Sequence, residues 1–265
     1  MQKKRHILKN FDELAAEWSQ LYGEGNSVKN YLFIVRKKRA EGLLDRDVRA
    51  GLRILDIGCG SGVMAPYFAQ KGAIYLGIDI SEKMIAQAKK EIGQIVEWQD
   101  RVLFAQGDIK DLDFPNDHFD IVIVLDVLEY IEDRETAIRE IVRVARNGGS
   151  VLIAVPNKAC VNQMARRWLR PIVANSFNLL NRVVGKPVQS GVYYHPFHPK
   201  ELESLLEKYG CKKTGEAFYD LEILFYPFYR IFPGFALCVK NKVETYYRMS
   251  LRHWASGYMC RVKKT

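Results

Sequence analysis

The stretch Ile54-Leu55-Asp56-Ile57-Gly58-Cys59-Gly60-Ser61-Gly62 decides the fold, because it joins a short apolar run to a glycine-rich turn. Ile54 to Ile57 read as a buried strand, and the three glycines let the backbone turn tightly and approach a ligand without Cβ interference. Val63 to Gln70 read as the helix that follows. A strand, a glycine turn and a helix N-terminus make the first unit of an open α/β sheet, which binds a nucleotide-like ligand outside the carboxyl ends of its strands.

The spacing of the glycines narrows the ligand. A G-x-G-x-x-G turn seats a pyrophosphate on the helix N-terminus; here the spacing is G-x-G-x-G, preceded by Asp56. A carboxylate at the lip repels a pyrophosphate and suits the cationic end of an aminoacyl sulfonium. The second strand, Ile74 to Asp79, ends in a carboxylate 21 residues after Gly58, where an acid can take both hydroxyls of a ribose. Ile80-Ser81-Glu82-Lys83-Met84 opens a helix with Ser81 as N-cap. A third strand, Val102 to Ala105, runs into Gln106-Gly107-Asp108-Ile109, and a fourth, Phe119 to Val124, into Leu125-Asp126-Val127-Leu128-Glu129-Tyr130. Val144 to Val155 supply a helix end, an Asn147-Gly148-Gly149 turn and a fifth strand closing in Pro156-Asn157. Singly, Asp79 or Asp108 reads as a solvated loop carboxylate; in this order, about 20 to 30 residues apart, the segments read as one site.

Together these segments resemble the class I S-adenosylmethionine (SAM)-dependent methyltransferases, whose motif I often reads LDIGCGSG. The resemblance covers residues 10–158 well and 193–220 more loosely, and the layout looks like that of the quinone-biosynthesis O-methyltransferases. It implies an α/β fold: a Rossmann-like seven-stranded sheet with helices on both faces, and helical and aromatic insertions forming a lid. It implies SAM as cofactor, held by Arg36, Asp56, Gly58, Cys59, Gly60, Gly62, Asp79, Ile80, Met84, Asp108, Ile109 and Leu125, with Asp108 against the adenine amino group. Phe11 to Tyr22 resemble the family's opening segment, which folds over donor and acceptor. Residues 1–45 are then an N-terminal helical cap on a methyltransferase domain, 46–265, with insertions at about 159–192 and 221–255. Two departures are Tyr130, where the family usually has His, and Arg146-Asn147, where it writes Lys-Pro. Arg36 reads either as partner of the donor's carboxylate or, with Lys37 to Arg39, as a solvated helix face.

At 265 residues the chain can bury a full core in one domain. Cys59, Cys160, Cys211, Cys238 and Cys260 show neither paired nor metal-ligand spacing, and read as free thiols of a reducing, cytoplasmic compartment. The basic start Lys3-Lys4-Arg5 leads into no apolar h-region, so no signal peptide is expected. The net charge of +9 is unevenly spread: residues 1–140 hold 20 basic and 24 acidic side chains, whereas 141–200 hold 9 and none, and 223–265 hold 8 against Glu244 alone. That asymmetry speaks to partners rather than to fold.

Between Val161 and Val184 apolar residues recur at helical steps opposite Arg166, Arg167 and Arg170, with Pro171 dividing two short amphipathic helices. These helices suit an anionic membrane surface or equally a lid packed on the core. The second insertion carries seven aromatics between Phe218 and Phe232. A membrane span over Leu221 to Val239 fits by length, but Glu222, Arg230, Pro227, Pro233 and Gly234 stand against it; an aromatic lid or interfacial loop is the preferred reading.

Methyl transfer is an in-line displacement that needs alignment and exclusion of water, and a hydroxyl acceptor also needs a base. His195 and Glu129 are the candidate catalytic residues, with Asp126 and His198 beside them. His195 either serves as base or, so near the helix opened by His198-Pro199, merely packs. No metal is expected: Asp126 and Glu129 could share Mg²⁺ but read more simply as helix-dipole partners. The expected acceptor is a lipophilic small molecule or lipid, methylated at oxygen, with peripheral contact to an anionic membrane. The alternatives are RNA or another anionic polymer, disfavoured because no Asn-Pro-Pro-Tyr-type segment or RNA-binding module is visible, and a non-catalytic SAM-binding protein.

Overall fold

The computed structural model describes residues 2–22, 28–161, 195–221 and 249–265, with isolated positions between 222 and 248. The strands are β1 (Arg53–Ile57), β2 (Ile74–Asp79), β3 (Val102–Gln106), β4 (Phe119–Leu125), β5 (Ala145–Pro156), β6 (Cys211–Leu221) and β7 (Ala255–Lys264). They form one seven-stranded sheet in the order β3-β2-β1-β4-β5-β7-β6. The first five run parallel, and β7 enters antiparallel between β5 and β6. The seven strands and the flanking helices are those the resemblance implies; the antiparallel entry of β7 is what the structure adds. The chain order reverses direction beside β1 and β4, which opens a crevice at their carboxyl ends.

Runs of Val and Ile explain why β1 and β4 are the central strands: buried on both faces, they read as continuous apolar segments rather than alternating ones. Successive side chains part to opposite faces. Leu55, Ile57, Val122 and Val124 pack toward α5 (Arg134–Val144) and α6 (Pro199–Lys208) through Ile138, Ile141, Leu202 and Leu206. Ile54, Ile121 and Ile123 face the other way, toward α2 (Val28–Leu44), α3 (Ala65–Gln70) and α4 (Glu82–Glu91). Each such fully buried aliphatic side chain contributes about 1.5–3 kcal/mol. The first helix, α1 (Gln2–Trp18), crosses to α4.

Most boundaries fall within two residues of the sequence reading. The helix after the glycine turn begins at Ala65 rather than Val63, because Val63 and Met64 still belong to the turn, with Pro66 in the first helical turn. β5 begins at Ala145, which already pairs with Phe119; the Asn147-Gly148-Gly149 segment is a register shift inside the strand, with Gly148 at φ +74°. The amphipathic segment predicted over 161–184 and most of the aromatic segment over 221–255 lie outside the described residues. Among the described residues, no helix is long and apolar enough to cross a membrane.

Candidate active site

The carboxyl ends of β1, β2 and β4 open into a cavity of about 570 Å³, roofed by α1 and α2. The glycine turn forms its floor through local bonding. The Gly58 N–H donates to the Ile78 carbonyl at 2.7 Å and Cys59 N–H to the same oxygen at 3.0 Å, which ties the turn to β2. Gly58 lies at φ +74°, and a Cβ there would stand 2.3 Å from Val127 Cγ2; at Gly60 it would stand 2.7 Å from Trp18 Nε1. The turn is therefore glycine both for its backbone angles and for the close approach of its neighbours. Gly62 differs from the other two: it does not line the cavity, and its missing Cβ makes room for the Phe104 ring at 2.7 Å.

Asp79 is held from behind. One carboxylate oxygen accepts the Gly60 N–H at 3.0 Å and the other the Ser81 N–H at 2.8 Å. Burial raises its pKa, and these N–H groups oppose the rise. Ser81 does cap α4, its Oγ accepting the Met84 N–H at 3.1 Å, and it also donates to Asp12 on α1 at 2.6 Å. One hydroxyl thus joins the β2 turn to the roof. At the centre, Asp56 is buried and accepts the Tyr75 phenol at 2.5 Å. Burial pushes its pKa up to about 7; the Tyr75 hydrogen bond opposes this, and Asp79 adds to it.

Arg36 is the buried cation of the site, 4 % exposed, so it is not part of a solvated helix face. Its guanidinium pairs with Asp126 and donates to the Tyr22 hydroxyl, over the rings of Phe33 and Tyr22. Burial alone would lower its pKa, yet Asp126, Tyr22 and Tyr219 raise it. Asp126 lies in the left-handed region at φ +54° and also accepts the Tyr219 hydroxyl at 3.2 Å. Glu129, 1 % exposed, has its pKa driven well above the carboxylate range by burial and then by Asp126. Among the described residues, two buried polar atoms of the cavity-lining side chains lack a partner, Arg36 Nε and Glu129 Oε2, as does Ser61 Oγ in the glycine turn.

Of the residues expected at the donor site, Arg36, Asp56, Gly58, Cys59, Gly60, Asp79, Ile80, Met84, Asp108, Ile109 and Leu125 all line the cavity, as does Glu129. His195 does not. Its imidazole is exposed, and its backbone serves instead, donating to the Glu129 carbonyl at 3.0 Å and accepting from Arg134 at 2.7 Å. His198 is exposed at the start of α6 and makes no side-chain cap. Trp18 and Tyr22, from the opening segment expected to fold over the site, line the cavity, and so do Tyr219 and Gly257, to which sequence reasoning gave no role. Among the described residues, no cluster of three or more His, Cys, Asp or Glu side chains could hold a metal ion.

Comparison with known proteins agrees with the fold. The family model of the methyltransferase domain matches residues 55–153. A ubiquinone biosynthesis O-methyltransferase of Rhizobium johnstonii is 30% identical over 226 residues, covering 80% of this chain and 85% of that protein. The 27-O-demethylrifamycin SV methyltransferase of Amycolatopsis mediterranei is 37% identical over 125 residues, 45% of this chain and 46% of that one. In structure, the magnesium protoporphyrin IX methyltransferase of Synechocystis, solved with bound SAH, superposes with a TM-score of 0.66 at 17% identity, over 99% of this chain and 100% of that one. The chain belongs to the class I SAM-dependent methyltransferases. It is an enzyme, and its cofactor is SAM.

The residues present fit that cofactor on structural grounds. A glycine floor that no Cβ could share, a carboxylate pinned by backbone N–H groups, and a buried guanidinium with an unpartnered Nε offer groups suited to a nucleoside and an amino-acid end.

Proposed function

We propose that this enzyme methylates a hydroxyl oxygen of a lipophilic small molecule, with Glu129 as the base. When bound, SAM supplies an electrophilic methyl group on a sulfonium. In this reading Asp79 takes the ribose hydroxyls, Asp108 the adenine side, Asp56 the cationic end and Arg36 the carboxylate. The apolar side chains of Ile7, Leu8, Phe11, Tyr130 and Ile131 line the same cavity and leave the acceptor an apolar chamber. The names of the relatives, which act in ubiquinone biosynthesis and on a rifamycin, support oxygen as the methylated atom.

The observation that carries the proposal is Glu129. Its carboxyl is buried in the cavity wall, its pKa is raised by burial, and one oxygen has no partner among the described residues. Such a group is a stronger base than a solvated carboxylate once ionised, and a positive charge entering the cavity favours the ionised form. As the oxygen–carbon bond forms and the sulfur–carbon bond breaks, the hydroxyl proton passes to Glu129. Asp126 is less suited, since Arg36 and Tyr219 occupy it, and His195 is exposed outside the cavity.

The test uses SAM with a labelled methyl group and a panel of hydrophobic phenols and alcohols, set against RNA and carboxylate acceptors. Methylation of a phenol or alcohol, with kcat of Glu129→Gln lowered roughly 100-fold or more at unchanged SAH affinity, is the expected result. Labelling of RNA, or full activity in Glu129→Gln, would overturn it.

A further inference from the structure

Tyr219, Ser256 and Gly257 of the C-terminal strands line the cavity, and the Tyr219 phenol bonds into its charged cluster. Tyr219 stands at the end of β6, directly opposite Gly257 of β7 in the antiparallel ladder. A Cβ at Gly257 would lie 2.3 Å from Cε2 and Cζ of the Tyr219 ring, so only glycine lets the ring lie across the neighbouring strand. The next residue pair holds this end of the ladder: Asp220, at φ +58°, accepts the Ser256 hydroxyl. Tyr219 is 1 % exposed, and its hydroxyl donates to Asp126 Oδ1 at 3.2 Å. The other oxygen, Oδ2, takes Arg36.

We infer that Tyr219, seated on Gly257, is a positioning residue that aims Arg36 at the donor's carboxylate by holding Asp126. The backbone of Asp126 is fixed, with its N–H donating to the Ala154 carbonyl at 3.0 Å. The rotation of its carboxylate is set by what each oxygen bonds. With Oδ1 committed to Tyr219, Asp126 grips Arg36 through Oδ2, while Tyr22 takes another nitrogen and Nε stays without a partner in the cavity wall. Without the phenol, both oxygens turn to the guanidinium in the bidentate geometry that arginine and carboxylate favour, and Arg36 is drawn away from the cavity. None of Tyr219, Ser256 and Gly257 falls within residues 55–153 matched by the family model.

The inference rests on the proposed role of Arg36, and the test separates the two. The probes are SAH, which has the amino-acid end, and 5′-methylthioadenosine, which has the same adenosine and sulfur without it. Both are titrated calorimetrically into the full chain and its variants. Tyr219→Phe removes one oxygen atom and keeps the ring on Gly257. It should weaken SAH roughly five- to twentyfold and leave 5′-methylthioadenosine unchanged, with KM for SAM rising and kcat held. In Tyr219→Phe/Arg36→Ala the SAH affinity should equal that of Arg36→Ala alone, because Tyr219 acts through Arg36. Equal weakening of both probes would mean a merely structural tyrosine and overturn the inference. So would a selective loss in Arg36→Ala with no change in Tyr219→Phe, which leaves the role of Arg36 standing. If Arg36→Ala itself keeps full SAH affinity, the role of Arg36 falls, and the inference with it.

Discussion

Asp56 should make the free enzyme less stable as the pH rises, and Asp56→Asn should abolish that effect. Its carboxyl is buried between Tyr75, Asp79, Arg36 and Cys59, and burial lifts its pKa from an ordinary 3.8 to about 7. In the unfolded chain the group releases its proton near pH 4; in the folded chain it keeps it to about pH 7. Between those values the native state binds one proton more, so stability falls by about 1.4 kcal/mol for each pH unit. The contribution is complete below pH 4, declines through the interval, and is constant above about pH 7. The whole shift corresponds to about 4 kcal/mol, and the part between pH 5.5 and 7 to about 2 kcal/mol.

The assay is urea unfolding of both proteins at pH 5.5 and pH 8 without ligand. Asparagine keeps the shape and can still accept the Tyr75 phenol, which stands 2.5 Å away, so other titrating groups cancel in the comparison. The wild type should lose about 2 kcal/mol more than Asp56→Asn across that range. Identical losses would refute the buried, proton-holding carboxyl. On the proposed placement of Asp56 at the donor's cationic end, SAM binding displaces this proton. SAM affinity of the wild type should then rise about tenfold from pH 6 to pH 8, a rise absent in the variant.

Two further outcomes follow from the turn after β2. Asp79→Ala removes the acceptor of the Gly60 and Ser81 N–H groups along with the proposed ribose ligand; SAH affinity measured by calorimetry should fall at least about 100-fold, and an unchanged value would remove Asp79 from that role. Ser81→Ala deletes both the α4 cap and the bond to Asp12; the melting temperature should drop a few degrees for about 1 kcal/mol of lost cap, and amide exchange over residues 2–18 should accelerate. Protection of α1 equal to that of the wild type would show that Asp12 does not hold the roof.

What was legible in the sequence is what neighbouring residues decide. β2 ends at Asp79 and Ser81 caps α4 because β-branched alternation, a chain-reversing serine and a following amphipathic run act over a few residues. Gly58 and Gly60 were legible because a close backbone approach leaves a glycine in the sequence. Contacts between distant segments were not. Nothing around Tyr219 announces that it meets Asp126, 93 positions away, nor does the arginine-rich run at Arg36 to Arg39 reveal that its first member alone is buried. His195 shows the same limit: its place outside the cavity goes with backbone bonds to Glu129 and Arg134, 66 and 61 positions away, which nothing in the neighbouring sequence announces. The entry of β7 between β5 and β6 depends likewise on pairing across long separations, which periodicity does not encode.

The site's charge balance connects these particulars to turnover. Asp56, Asp79, Asp126 and Glu129 line a cavity whose buried cation is Arg36, and that cation is already committed to Asp126. The remaining carboxyls meet the excess in the way buried acids must: burial raises the pKa of all three, to about 7 for Asp56 and well above the usual range for Glu129. The cavity therefore favours a cation, and SAM carries a sulfonium charge that SAH lacks. Transfer of the methyl group removes one positive charge from among these acids, and on the proposed mechanism the proton of a hydroxyl acceptor goes to Glu129. Both changes weaken the hold on the product relative to the donor, so the electrostatics that favour SAM entering also favour SAH leaving. Titrating SAM and SAH in parallel at pH 8 should show the sulfonium bound more tightly, with the gap narrowing in Asp56→Asn. An equal gap in the variant would place the discrimination on Asp79 and Glu129 instead.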